Sequence, residues 1–205
     1  MSRIKLSKSE LKKQRDSLKQ YLHYLPTLQL KKQQLQMKIL EARGKIEEKS
    51  AVLKEKEGRI ERWAGLLADG GIDLKGWITP AQIIVESLNI AGASIPVLKE
   101  TRFNEPGYDF YAAPFWVDRA IIELKTVITI LVEMDIIQRQ IAILEQELRI
   151  TTQRVNLFEK VKIPECRENI RRIRIYLGDQ QANAVGISKV AKRKVLVREV
   201  EEAGV

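Results

Sequence analysis

Few side chains in this sequence could do chemistry. There is one histidine, His23, and one cysteine, Cys166. A zinc site built on paired histidines is therefore excluded, and a Ser/His/Asp triad could use only His23. A catalytic histidine needs a positioned partner. His23 falls outside the apolar repeat described below and reads as a solvated helix residue. Cys166 has no basic or metal-ligand cluster at a telling spacing, so it reads as a structural or exposed thiol rather than a nucleophile. Neither G-x-x-x-x-G-K-S/T nor G-x-G-x-x-G occurs, so no loop cradles a nucleotide phosphate. The acidic pairs Glu47-Glu48 and Glu201-Glu202 stand in charged helical stretches and read as solvated faces. The sequence predicts no catalytic, cofactor-binding or metal-binding residue, no cofactor and no small-molecule ligand. The chain is not expected to be an enzyme.

Charge is the remaining candidate for function. Of the formal net +9, residues 1–60 carry 16 basic and 7 acidic side chains, while residues 61–115 carry 4 and 7. Within residues 166–198 the count is 9 against 2, from Arg167, Arg171, Arg172 and Arg174, then Lys189, Lys192, Arg193, Lys194 and Arg198. Such clusters could neutralise phosphates. Only Tyr176 interleaves them, so the stacking platform of a single-strand binder is missing. An acidic or polar protein socket is the better match, with a basic scaffolding or nucleic-acid-binding coiled coil as the alternative.

The elements that must position these charges follow from apolar spacing. Stepping by seven from Leu11 gives Leu18, Leu25, Lys32, Ile39, Ile46, Leu53, Ile60 and Leu67. The companion seam is Gln14, Tyr21, Leu28, Leu35, Ala42, Lys49, Lys56 and Trp63. A 3.5-residue period sustained this long predicts a supercoiled helix, roughly 85 Å at ~1.5 Å per residue, which needs a partner for its stripe. The partner is in the same chain. Ala120, Val127, Met134, Ile141, Leu148 and Val155 form one seam, and Ile130, Ile137, Leu144, Thr151 and Phe158 its companion. The repeat then slips by one residue and resumes as Ile163, Ile170, Leu177, Ala184 and Ala191. Pro26 and Pro164 interrupt the two helices. Pro164 either opens a separate helix or, as preferred here, shares a bend with Pro26.

Between the helices the period breaks. Asp69-Gly70-Gly71 is a helix stop, and four of the six prolines lie from here to Pro114. Val85–Ile90 and Ser94–Phe103, joined through Ala91-Gly92-Ala93, predict a short β-hairpin. Asn104-Glu105-Pro106-Gly107 predicts a turn, and helix resumes near Phe115-Trp116. Trp63, Trp77 and Trp116 are expected in the core of this end. The fold class is mainly α: a long antiparallel two-helix coiled coil formed by the N- and C-terminal helices, with a small central insert containing a short β-hairpin. The expected segments are residues 1–68, the cap 69–115, and residues 116–205 kinked near Pro164. No apolar run approaches the roughly 20 residues that span a bilayer, and the charged opening, Met1–Asp16, lacks the apolar core of a secretory signal. A cytoplasmic location is expected.

Particular runs carry a resemblance. They are Tyr24-Leu25-Pro26-Thr27-Leu28-Gln29-Leu30-Lys31-Lys32, and Asn89 to Pro96 in the insert. Arg154-Val155-Asn156-Leu157-Phe158-Glu159 leads into Ile163-Pro164 and Asn169-Ile170-Arg171-Arg172-Ile173, the most specific signal. With the basic ending Lys189 to Lys194, the whole length resembles the D subunit of the V-type (A/V-type) ATPases and ATP synthases, in its bacterial branch. Gln33-Gln34 depart from the family, where many relatives carry an acidic residue. The resemblance implies a non-catalytic central-stalk rotor subunit that transmits torque between a catalytic ring and an ion-translocating membrane rotor. It implies paired chain ends inside a ring of A and B subunits, the F subunit on the side of the rod, and a membrane-rotor adaptor at the cap end. It also implies a cytoplasmic protein peripheral to the membrane.

Overall fold

The computed structural model describes residues 4–65, 74–105, 107 and 114–203, and the side chains to 199. In chain order the elements are α1 (Lys8–Glu61), α2 (Lys75–Ile78), β1 (Pro80–Ile90), β2 (Ala93–Phe103), α3 (Trp116–Asn156), a π-helical segment π1 (Leu157–Lys162) and α4 (Ile163–Ala203). The fold class is the one the sequence predicts. Leu67 and the expected stop at Asp69-Gly70-Gly71 lie outside the described residues, as does Pro106 of the expected turn.

Helix α1 begins where Ser7 caps it: the Glu10 amide donates to Ser7 Oγ at 3.2 Å, the first half of a capping box. From there 54 residues run without a break in helix. Pro26 sits inside, removing the amide that would reach the Leu22 carbonyl. Thr27 Oγ1 donates to the Tyr24 carbonyl at 2.7 Å beside it.

The chain divides into two compact units. The first comprises residues 1–29 and 153–205. Here α1 lies antiparallel to π1 and α4. Tyr21 packs on Phe158 with ring centroids 4.9 Å apart, and further along Asn169 Nδ2 donates to Gln14 Oε1 at 3.4 Å. Leu11, Leu18 and Leu25 are half-buried against a seam of buried Val155, Ile163, Cys166, Ile170 and Ile173.

The second unit, residues 30–152, pairs α1 with α3 and adds the hairpin. Leu35 and Ile39 of α1, Leu144 of α3, and Ala93 and Ile95 of β2 form one buried cluster. Gln140 Nε2 donates to the Pro96 carbonyl at 2.5 Å, fixing β2 on α3. Interhelical ion pairs flank the seam at Lys31–Glu147 (3.6 Å), Arg43–Glu145 (2.6 Å) and Lys49–Glu133 (2.5 Å). Half-exposed pairs of this kind contribute about 0.2–1 kcal/mol each, so they set register more than stability. A second cluster gathers Leu74, Val117 and Ile121, with Trp77 and Trp116 packed against it. Trp63 is half-buried, lines a cleft with Trp116, and donates from Nε1 to Glu123 Oε2 at 3.1 Å.

The hairpin is longer than expected, β1 starting at Pro80 rather than Val85. Proline lacks a donor but is tolerated at the first residue of a strand. Two register irregularities, between Pro80 and Gln82 and between Ile84 and Val85, blunt the alternation that would have marked the extension. The connection is two residues, Ala91 (φ 51°) and Gly92 (φ 80°). Both are left-handed, which a type I′ turn requires. The Gly92 amide donates to Asn89 Oδ1 at 2.9 Å.

Candidate functional site

Every described position of the two α1 seams, from Leu11 to Trp63, is buried or half-buried, including Lys32, Lys49 and Lys56. The apolar stripe is therefore consumed in folding.

The single histidine, His23, is exposed and lies edge-on to Tyr24 with ring centroids 5.4 Å apart. Cys166 is buried in the seam, and burial, then the adjoining Glu165 charge, pushes its thiol above the ordinary value. A thiol so placed is a poor nucleophile. Glu47 and Glu48 are exposed, and the side chains of Glu201 and Glu202 lie outside the described residues. No group of three or more metal-ligating side chains comes together among the described residues.

The basic stretch of α4 has finer structure than its composition suggests. Glu168 accepts from Arg171 Nε and Nη2 at 2.9 and 3.1 Å and from Arg172 Nε at 2.9 Å. These hydrogen bonds pull the Glu168 carboxyl down to about 2. Arg167 and Arg174 instead join Arg15 and Lys19 of α1 around a shallow groove floored by Leu18, Leu22 and Ile170. Sequence reading singled out the two arginines and missed Arg15 and Lys19. The signal was present: both flank the seam residue Leu18, and only an exact antiparallel register would have carried them to α4.

Farther along α4 the partner helix runs out. Leu177 is half-buried, and every residue from Gly178 to Glu199 is exposed. Ala184 and Ala191, expected in the seam, are therefore solvent-facing in this chain. The reason is antiparallel order: Gln14 already meets Asn169, and α1 starts at Lys8, so nothing in α1 is left to cover them. The uncovered stretch exposes Val185, Ile187, Val190, Val195, Leu196 and Val197 by half or more. Lys189, Lys192, Arg193, Lys194 and Arg198 stand among them. No described helix is long and apolar enough to cross a membrane.

These features define a class: a protein of long paired helices carrying a two-stranded hairpin. The comparisons name the family. The family of ATP synthase D subunits matches residues 10–193. A V-type ATP synthase D subunit of Borreliella burgdorferi is 45% identical over 196 residues, covering 96% of each chain. Proteins of the same description from Chlamydia trachomatis (32% identical, 95% of this chain and 97% of theirs) and Chlamydia muridarum (33%, 95% and 97%) are also similar. The chain belongs to the family of ATP synthase D subunits.

Proposed function

We propose that this chain is a non-catalytic central-stalk rotor subunit of a V-type ATPase or ATP synthase. In this reading it transmits torque between a catalytic A/B ring and the ion-translocating rotor in the membrane. The observation that carries the reading is α4 beyond Leu177, an unpaired helix with apolar and basic side chains exposed together. A lone helix of this kind is marginal in water. A socket that covers the valines and supplies acidic or polar partners for the lysines would stabilise it. The ring cavity is that socket. The F subunit packs on the side of the paired helices, and the membrane-rotor adaptor meets the cap, residues 69–115, which joins segments 1–68 and 116–205. The protein is peripheral to the membrane on its cytoplasmic side. A bend at Pro26 and Pro164 is part of the same proposal, because an off-axis shaft presses different catalytic subunits in turn.

Two helices sharing a filled seam resist bending and twisting better than one, which is what a torque-bearing element needs. The test is capture and turnover: recombinant A, B and F subunits are mixed with the chain, and a parallel salt titration is run with duplex DNA. Stable assembly with the ring, and weak DNA binding at physiological salt, is the expected result. Tight, steeply salt-dependent DNA binding without subunit capture would favour the basic scaffolding alternative.

A further inference from the structure

The one-residue slip in the C-terminal apolar repeat and the π-helical segment occupy the same place. Val155 is buried; seven residues on, an α-helical continuation would turn Lys162 inward, and then Glu165 and Arg172. Burying those charges without partners is prohibitive. Instead the backbone makes six residues of π-helix, Leu157–Lys162, in which the Ile163 amide reaches back five residues to the Phe158 carbonyl. A π-turn holds one residue more than the α-turn it replaces. The seam is thereby rotated back into phase: Ile163, Cys166, Ile170 and Ile173 are buried, with the polar Asn169 buried beside them. Asn156 and Ile163 on either side have ordinary helical dihedrals (φ −61°, ψ −40° and φ −65°, ψ −50°), so the helix passes through rather than restarting at Pro164.

Pro164 adds a second departure. It has no amide to donate, and its ring would press on the Lys160 carbonyl in a regular α-turn. The stretch 157–164 therefore holds fewer regular i→i−4 bonds than the α-helical turns beside it. Its anchor is Phe158 on Tyr21, while Leu157 and Val161 are 44% and 49% exposed. On the far side, the Asn169–Gln14 hydrogen bond pins the register. The result is an irregularly bonded turn between two pinned levels.

We propose that this π-turn is a yielding element, a surplus residue that keeps the C-terminal helix in phase while letting it twist under load between the Phe158 and Asn169 levels. The phase claim stands on the seam alone. The load claim rests on the rotor reading.

Deleting Glu159 separates the two. The deletion brings Ile163 to seven residues after Val155 and joins the two stretches into one unbroken repeat. The variant should form continuous α-helix, with a thermal midpoint within about 2 °C of the parent or higher. Deleting the exposed Gln138 gives no such compensation at Leu144 and Val155, and its midpoint should fall by about 10 °C or more. Hydrogen exchange should be faster by at least ~10-fold at 157–163 than at 166–173 in the parent, and level in the Glu159 deletion. In the reconstituted complex, ions moved per ATP hydrolysed should drop by half or more with the Glu159 deletion. A Glu159 deletion as unstable as the Gln138 deletion overturns the phase claim. One that is stable, evenly protected and pumps like the parent overturns the yielding element. A parent complex that assembles but never pumps sinks the rotor reading instead, and the stability comparison still decides the phase claim.

Discussion

Leu35 belongs to the buried cluster of the second compact unit where three elements meet. Its side chain is 0% exposed and is surrounded by Ile39 of the same helix, Leu144 of α3, and Ala93 and Ile95 of the hairpin. Leu35→Ala removes three carbons at a point where three elements meet. No one of them can close the gap without losing contacts to the other two. The cost should sit in the middle of the range for buried leucines, about 3–4 kcal/mol. For a chain of this length each kcal/mol moves the melting midpoint by about 2–4 °C, so a fall of about 6–16 °C is expected. The control is Leu40→Ala, five residues along the same helix but 74% exposed; its effect should stay within about 0.5 kcal/mol. Thermal melts followed by circular dichroism at 222 nm measure both, and hydrogen exchange at Ala93 and Ile95 reports whether the hairpin loosens with the core. Equal, small shifts for the two variants would refute the packing argument, because a hairpin merely resting on the helices would not notice Leu35.

Three further outcomes follow from other parts of the molecule. Truncation before Gly178 should leave the midpoint of the remainder within about 2 °C of the parent, since every residue from Gly178 to Glu199 is exposed, yet abolish capture of the A/B ring in a pull-down. The Glu168 carboxyl, lowered to about 2 by Arg171 and Arg172, stabilises the folded chain through its ionised form. That contribution should be complete above the ordinary value of 4.5 and be lost as pH falls towards 2, so Glu168→Gln should differ from the parent at neutral pH and match it at the acid end. Carboxyl chemical shifts against pH give the midpoint directly. Replacing both Gln14 and Asn169 by leucine should raise the melting midpoint by several degrees while allowing helix slippage, because a polar pair in the seam fixes register at some cost in stability. Spin labels placed on α1 and α4 would then show a broadened distance distribution.

The parts of this fold that could be read from sequence are those set by periodicity. The Leu11 and Gln14 seams were legible down to their lysines, because a seam position is fixed by angle whatever residue fills it. Gly92 marked the hairpin tip for a steric reason. Ala184 and Ala191 were misplaced for a reason periodicity cannot repair: a repeat says which face seeks a partner, but not where the partner ends. The slip between Val155 and Ile163 was visible as a shift of one residue, yet the π-turn that absorbs it depends on the cost of burying Lys162, Glu165 and Arg172. That cost appears only once the seam is closed. The groove of Arg15, Lys19, Arg167 and Arg174 needed two helices in register before it existed at all.

As a rotor subunit, the role proposed above, this chain would turn against the A/B ring. A probe fixed to an exposed α3 residue such as Gln138, in a complex whose A/B ring is held to a surface, tests it in one experiment. Sustained rotation in one direction is expected on addition of ATP. A ring that hydrolyses ATP at its full rate while the probe stays still would contradict it.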